Sequence, residues 1–199
     1  MTKFSDGHKD SLIRGHKSWQ LILAGTAALA LAMGIGRFAY TPILPFMMNE
    51  LSLSTTEGGL IASWNFVGYC VGSLIPILPL FHGHLKTWFF AAVAASILST
   101  ALMGFPLDVT LFALIRFVSG VASAFTLIFG TSLILPSIQA LGKISISTRH
   151  FTGVGLGMAV SSIVVSSMGA FNFAWYQLWY GVAISALVLA VPVIVCTPN

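Results

Sequence analysis

The sequence predicts an all-α, polytopic membrane protein with six transmembrane helices. Of its 199 residues, 57% are hydrophobic and only 7% are charged, whereas a soluble domain carries roughly a quarter charged residues. The apolar residues also form long runs, and a helix needs about 20 of them to cross a bilayer. This composition excludes an ordinary aqueous surface, and the length excludes a large extramembrane domain.

The six predicted spans are apolar runs separated by charged, polar or turn-forming residues. A polar, basic leader covers residues 1–18, and the apolar run after it is too long for the core of a cleaved secretory signal. We therefore expect a cytoplasmic leader, 1–18, followed by a transmembrane bundle, 19–199. The predicted spans are about 19–48, 57–81, 87–105, 110–135, 150–171 and 174–196.

The charges between the spans predict the orientation. One side of the membrane would hold seven Lys and Arg residues, and the other side would hold none. The seven are Lys3, Lys9, Arg14, Lys17, Lys86, Lys143 and Arg149, and the acids opposite are Glu50, Glu57 and Asp108. Cytoplasmic loops carry the excess of Lys and Arg, so both termini are expected in the cytoplasm. The net charge of +4 thus reflects topology, and no nucleic-acid partner is expected.

Cysteine and histidine give little sign of a metal site. Cys70 and Cys196 lie in predicted spans and suggest neither a disulfide framework nor a thiolate site. His82 and His84 are a possible metal pair, but two ligands in a loop are weak evidence, and a solvated loop is the favoured interpretation. No metal, cofactor or catalytic residue is expected.

Two cations, Arg37 and Arg116, lie inside predicted spans that themselves contain no Asp or Glu. An arginine within the membrane costs roughly 2.5–3.5 kcal/mol on insertion scales, so each should face the bundle interior or a wet cavity. One interpretation is that both line a central cavity with Tyr40, Asn65 and Tyr69. The alternative is that Arg37 or Arg116 donates to backbone carbonyls exposed where a helix is broken.

Prolines and small residues indicate where helices bend and pack. Each of the first two spans contains a pair of prolines, which remove backbone donors and kink helices. Glycines in the later spans allow close approach of backbones. The candidate structural or gating residues are Pro42, Pro45, Pro76, Pro79, Gly120, Gly153 and Gly157.

Three segments carry a resemblance to a known family. Arg116-Phe117-Val118-Ser119-Gly120 resembles the Arg-x-x-x-Gly motif in the fourth helix of the major facilitator superfamily. Residues 33–45 (MGIGRFAYTPILP) and 150–157 (HFTGVGLG) resemble segments of that superfamily's YbfB/YjiJ-like group of bacterial transporters. The loop at 81–86 departs from the superfamily's usual Gly-x-x-x-Asp-x-x-Gly-Arg-Arg, because it is short and contains no acid.

The resemblance implies an N-terminal half of such a transporter, in the bacterial inner membrane. That half is expected to be two inverted three-helix repeats in which spans one and four are equivalent. The implied function is transport of a small, anionic or polar solute by alternating access, with Arg37 as its anchor. The implied partners are the lipid bilayer, the solute and a second six-helix half, either a separate chain or a second copy.

Two other classes of function remain open at this point. The chain could be a non-transporting membrane protein, either truncated or an assembly partner of other membrane proteins. A membrane-embedded enzyme is less favoured, because no span carries a carboxylate pair, an embedded histidine or a nucleophile beside a base.

Overall fold

A computed structural model describes residues 19–81, 83–140 and 149–197. This part of the chain contains six helices long and apolar enough to cross a bilayer, and it contains no strands. The predicted all-α fold with six spans is therefore confirmed. The predicted leader, 1–18, and His82 lie outside the described residues. The helices are α1 (Trp19–Leu51), α2 (Thr55–Leu74), α3 (Leu85–Leu102), α4 (Val109–Ala140), α5 (Thr152–Ala170) and α6 (Trp175–Cys196).

The first helix is irregular in its middle. It widens into a π-helix over Ala30–Ile35, passes through turns at 36–39 and resumes as an α-helix over Tyr40–Leu51. The amide of Gly36 donates to the carbonyl of Leu31 at 2.9 Å, five residues back, as a π-helix requires. This widened stretch leaves part of the backbone without its usual α-helical partners.

Pro42 contributes to the break, although it lies after it. Proline has no N–H with which to bond the carbonyl four residues before it, which here belongs to Phe38. That carbonyl instead accepts from the amide of Thr41 at 3.2 Å. The amide of Thr41 is then not used for the carbonyl of Arg37, which becomes available to another donor.

The prolines of the second span lie after its α-helix. The α-helix ends at Leu74, Pro76 lies in a short 3-10 helix over Ile75–Ile77, and Pro79 begins another over Pro79–Phe81. The sequence places these prolines within a predicted span of 57–81, as a pair that bends it. The structure shows both in 3-10 turns after the α-helix, with Pro76 still inside the apolar span Thr55–Ile77. Leu78, before Pro79, is extended (ψ 140°), as proline favours in the residue that precedes it. Ile75, before Pro76, keeps helical geometry (φ −56°, ψ −40°).

The two central helices are α1 and α4. In their most apolar stretches 72% of α1 and 56% of α4 is buried, against 22% for α2 and for α5. Glycines of α2 and of α5 let each of these helices approach one central helix closely. A methyl group at Gly72 of α2 would lie 2.8 Å from the Cα of Val121 on α4. One at Gly153 of α5 would lie 2.8 Å from the carbonyl carbon of Thr26 on α1.

These two close pairs, α2 with α4 and α5 with α1, are the pairs that an inverted repeat relating α1–α3 to α4–α6 would interchange. Gly120 and Gly157 belong to the same two contacts. A methyl group at Gly120 would lie 2.7 Å from the amide nitrogen of Tyr69, and one at Gly157 would lie 2.8 Å from the Cα of Ala30. The packing thus brings α4 and α1 into similar surroundings at the centre of the bundle.

Candidate functional site

Arg116 of α4 is directed at the broken backbone of α1. Its side chain is 3% exposed. Nη1 donates to the carbonyl of Gly36 at 2.9 Å, and Nη2 donates to the carbonyl of Arg37 at 2.8 Å. The hydroxyl of Ser119, on the next turn of α4, also donates to the Gly36 carbonyl at 2.9 Å. One planar guanidinium therefore bonds two carbonyls that the irregular stretch leaves available.

Tyr40 and Asn65 surround Arg116, but their polar atoms also bond backbone groups. The guanidinium carbon of Arg116 lies 4.9 Å from the centre of the Tyr40 ring, a cation–π contact. The Tyr40 hydroxyl donates to the carbonyl of Gly58 at 2.9 Å. Nδ2 of Asn65 donates to the carbonyl of Arg116 at 3.0 Å. These contacts join α1, α2 and α4 at one level of the bundle.

Arg37 has different surroundings, although its carbonyl bonds Arg116. Its side chain is half-buried, and its guanidinium carbon lies 4.1 Å from the ring centre of Tyr69, 4.8 Å from that of Phe66 and 5.6 Å from that of Phe38. Its Nε is enclosed, and no described atom accepts a hydrogen bond from it. We call Phe38, Phe66 and Tyr69, together with Arg37, the aromatic cage.

The three acids of the described residues serve helix starts. Oε1 of Glu50 accepts from the amide of Trp175 at 2.9 Å, at the first turn of α6. Glu57 and Ser54 form a capping box at the start of α2, with the Ser54 amide 2.9 Å from Oε2. Oδ1 of Asp108 accepts from the amide of Leu111 at 2.8 Å, at the start of α4. None of these carboxylates pairs with either intramembrane arginine.

The five residues predicted to line a cavity thus separate into two neighbouring groups. Tyr40, Asn65 and Arg116 form a buried cluster directed at backbone groups, which is the arrangement that the alternative interpretation describes. Arg37 and Tyr69 form the half-buried cage. The sequence interpretation missed Phe38 and Phe66 in the cage and Ser119 in the cluster. Phe66 lies three residues before Tyr69, and this helical spacing places both on one face of α2, so that signal was present in the sequence.

Comparisons with known proteins agree with the earlier resemblance. The profile of a family described as "Uncharacterised MFS-type transporter YbfB" matches residues 29–199. The chain is similar to the "Uncharacterized MFS-type transporter YceJ" of Bacillus subtilis (strain 168), with 27% identity over 164 residues. That alignment covers 79% of this chain and 40% of the relative, so the chain spans about 40% of the relative's length. No solved structure matches the chain significantly.

Proposed function

Because the chain belongs to the family of MFS-type transporters described by YbfB, we propose that it takes part in secondary transport of a small anionic solute, with Arg37 as the anchor. The chain is a multi-pass membrane protein, and we place it in the bacterial inner membrane with both termini cytoplasmic. The observation that carries the proposal is that the Arg37 guanidinium contacts aromatic rings and pairs with none of the described acids. Those acids accept from backbone amides elsewhere.

The two arginines have separate roles in this proposal. Arg116 stabilises the broken part of α1 through two charge-assisted hydrogen bonds. Nε is enclosed without a described partner in both arginines, but the rest of the Arg37 guanidinium meets aromatic rings where that of Arg116 meets carbonyls. An arginine in a membrane is costly unless it is paired. A solute carboxylate or phosphate would pair the charge of Arg37 through its terminal N–H groups, because the guanidinium fork fits either group.

The proposed mechanism is alternating access against a second six-helix bundle, supplied by another chain or by a second copy. Two observations support it. The faces of α2 and α5 that do not contact α4 and α1 remain exposed, with only 22% of each apolar stretch buried. The irregular stretch of α1 lies beside the aromatic cage, so that bending of α1 there would move Arg37. We propose that this bending of α1 is coupled to release of the solute from Arg37.

The anchor role of Arg37 can be tested on the purified chain in lipid nanodiscs. Thermal stability would be measured with small carboxylates and phosphates and with their neutral amide or ester counterparts. We expect anions to stabilise the wild type and to lose that effect in Arg37→Gln. Arg149→Gln is the matched control, because the Arg149 guanidinium lies near Trp19, at 5.9 Å from its ring centre, and outside the cage.

Uptake then tests transport itself. A stabilising anion would be offered in labelled form to vesicles that carry the chain, with empty vesicles as the blank. We expect uptake that depends on Arg37. Undiminished uptake by a folded Arg37→Ala variant would refute the anchor role. Anion binding without uptake, even when a second bundle is present, would favour the alternative of a non-transporting membrane protein.

A further inference from the structure

The aromatic cage leaves the hydrogen-bond donors of Arg37 without matching acceptors. Aromatic rings attract a cation through their faces, but they provide no lone pairs in the plane of a guanidinium. Tyr69 and Phe66 lie within 4.8 Å of the guanidinium carbon, and Nε bonds no described atom. Since Nε is enclosed, the terminal N–H groups at Nη1 and Nη2 are the ones that suit a planar, bidentate acceptor such as a carboxylate.

Among the described residues at this level of the bundle, Arg37 carries the one charge that no carbonyl, amide or opposite charge engages. Arg116 is bound to two carbonyls of α1, and the Glu and Asp side chains of the described residues are bound at helix starts. A ligand with one negative charge would neutralise Arg37. A second negative charge would remain unpaired in a low-dielectric region, where it is costly. The charges thus favour a monoanion.

The surfaces beside this charge are aromatic. The Phe66 side chain is 55% exposed, and those of Phe38 and Tyr69 are half-buried. A ligand whose carboxylate meets Arg37 would place its adjoining atoms against these rings. Contact between aromatic rings is favourable beyond the area that it buries. An aromatic body would therefore gain more here than an aliphatic body of similar size.

Resting on the proposed function, we infer that the aromatic cage binds an aromatic monocarboxylate. Its carboxylate accepts from Arg37, and its ring packs beside Phe66 and Tyr69. Benzoate is the simplest probe of this class. Three matched probes separate its features: benzamide has the ring without the charge, acetate has the charge without the ring, and phthalate adds a second charge.

Cys70 is a reporter close to the cage along α2. The described residues leave its side chain uncovered, and it lies one helical turn beyond Phe66, so both side chains share a face of α2. The chain has two cysteines, so in Cys196→Ser the Cys70 thiol alone reacts with a maleimide. The experiment measures the probe concentration that halves the labelling rate of the full chain in nanodiscs. Thermal stabilisation by the same probes provides a second readout that needs no thiol.

We expect benzoate to protect Cys70, and to stabilise the chain, at concentrations at least ten-fold below those of benzamide, acetate or phthalate. Protection should disappear in Arg37→Gln and persist in Arg149→Gln. Phe66→Leu retains an apolar side chain without the ring. It should weaken the effect of benzoate several-fold and leave that of acetate unchanged.

Other outcomes distinguish failure of this inference from failure of the proposed function. Equal effects of acetate and benzoate, both dependent on Arg37, would overturn the aromatic class and leave the anion anchor intact. Equal or stronger effects of phthalate would overturn the assignment of a monoanion. Benzoate effects that survive in Arg37→Gln would overturn both the inference and the anchor. If benzoate neither protects Cys70 nor raises thermal stability up to its solubility limit, the inference is wrong.

Discussion

The close approach of α5 to α1 at Gly157 gives a sharp test of how this bundle packs. In Gly157→Ala, the new methyl group would lie 2.7 Å from the carbonyl carbon of Ala30 and closer still to its oxygen. Ala30 begins the π-helical stretch of α1. Because the obstructing atoms belong to the backbone, no change of rotamer relieves the clash, and the two helices must separate.

The magnitude follows from two opposing effects. Overpacking of a core costs about 1–3 kcal/mol, and a clash with backbone belongs at the upper end of that range. Replacing glycine by alanine inside a helix returns about 0.5–1 kcal/mol. We therefore expect Gly157→Ala to lower the free energy of unfolding by about 2 kcal/mol, using the difference of these two estimates.

Gly155 provides the matched control on the same helix. A methyl group there would meet no atom within 4 Å. Gly155→Ala should therefore show only the gain in helix propensity, about 0.5–1 kcal/mol of added stability. Both variants would be unfolded reversibly by SDS titration in mixed micelles and followed by tryptophan fluorescence. Equal stability of the two variants would refute the close contact of α5 with α1, and with it the backbone packing argued from glycine.

Three further variants test the polar contacts in the same unfolding assay. Arg116→Lys keeps the buried charge but cannot reproduce the planar fork. It should lose one of the two carbonyl bonds and lower the free energy of unfolding by about 1.5–3 kcal/mol. Wild-type stability of this variant would show that the fork is unimportant. Tyr40→Phe removes the donor to the Gly58 carbonyl and should cost about 0.5–1.5 kcal/mol, whereas Tyr176→Phe, at an exposed ring, is the control. Asp108→Ala removes the cap of α4 and should cost about 1 kcal/mol; Asp108→Asn should retain most of that stability, and an equal loss in both would contradict a capping role.

Much of the fold could be predicted because it depends on local composition. In lipid, a chain must satisfy its backbone hydrogen bonds within each segment, so a run of about 20 apolar residues becomes a helix. This accounts for the confirmed prediction of six helices. Helix ends were harder to predict. The apolar residues continue past Leu74, but the α-helix ends there and a 3-10 turn with Pro76 follows.

The candidate site was less predictable, because a residue's type does not specify its partner. Arg37 and Arg116 are chemically identical, both are followed by phenylalanine, and both lie in apolar segments. The residues alone could therefore only assign both the same alternatives, and the choice of Arg37 as the anchor came with the family resemblance. Their surroundings differ because the irregular stretch of α1 presents carbonyls to α4, whereas the Arg37 side chain meets the aromatic face of α2.

The sequence by itself determined that the chain is a six-helix membrane protein, and it carried the motifs of its transporter family. Both follow from short stretches, in which composition and spacing are sufficient. Only the tertiary structure decided that Arg116 bonds the backbone of α1 and that Arg37 lies among aromatic rings. These contacts join residues far apart in the chain, and they depend on how closely glycine lets the helices approach.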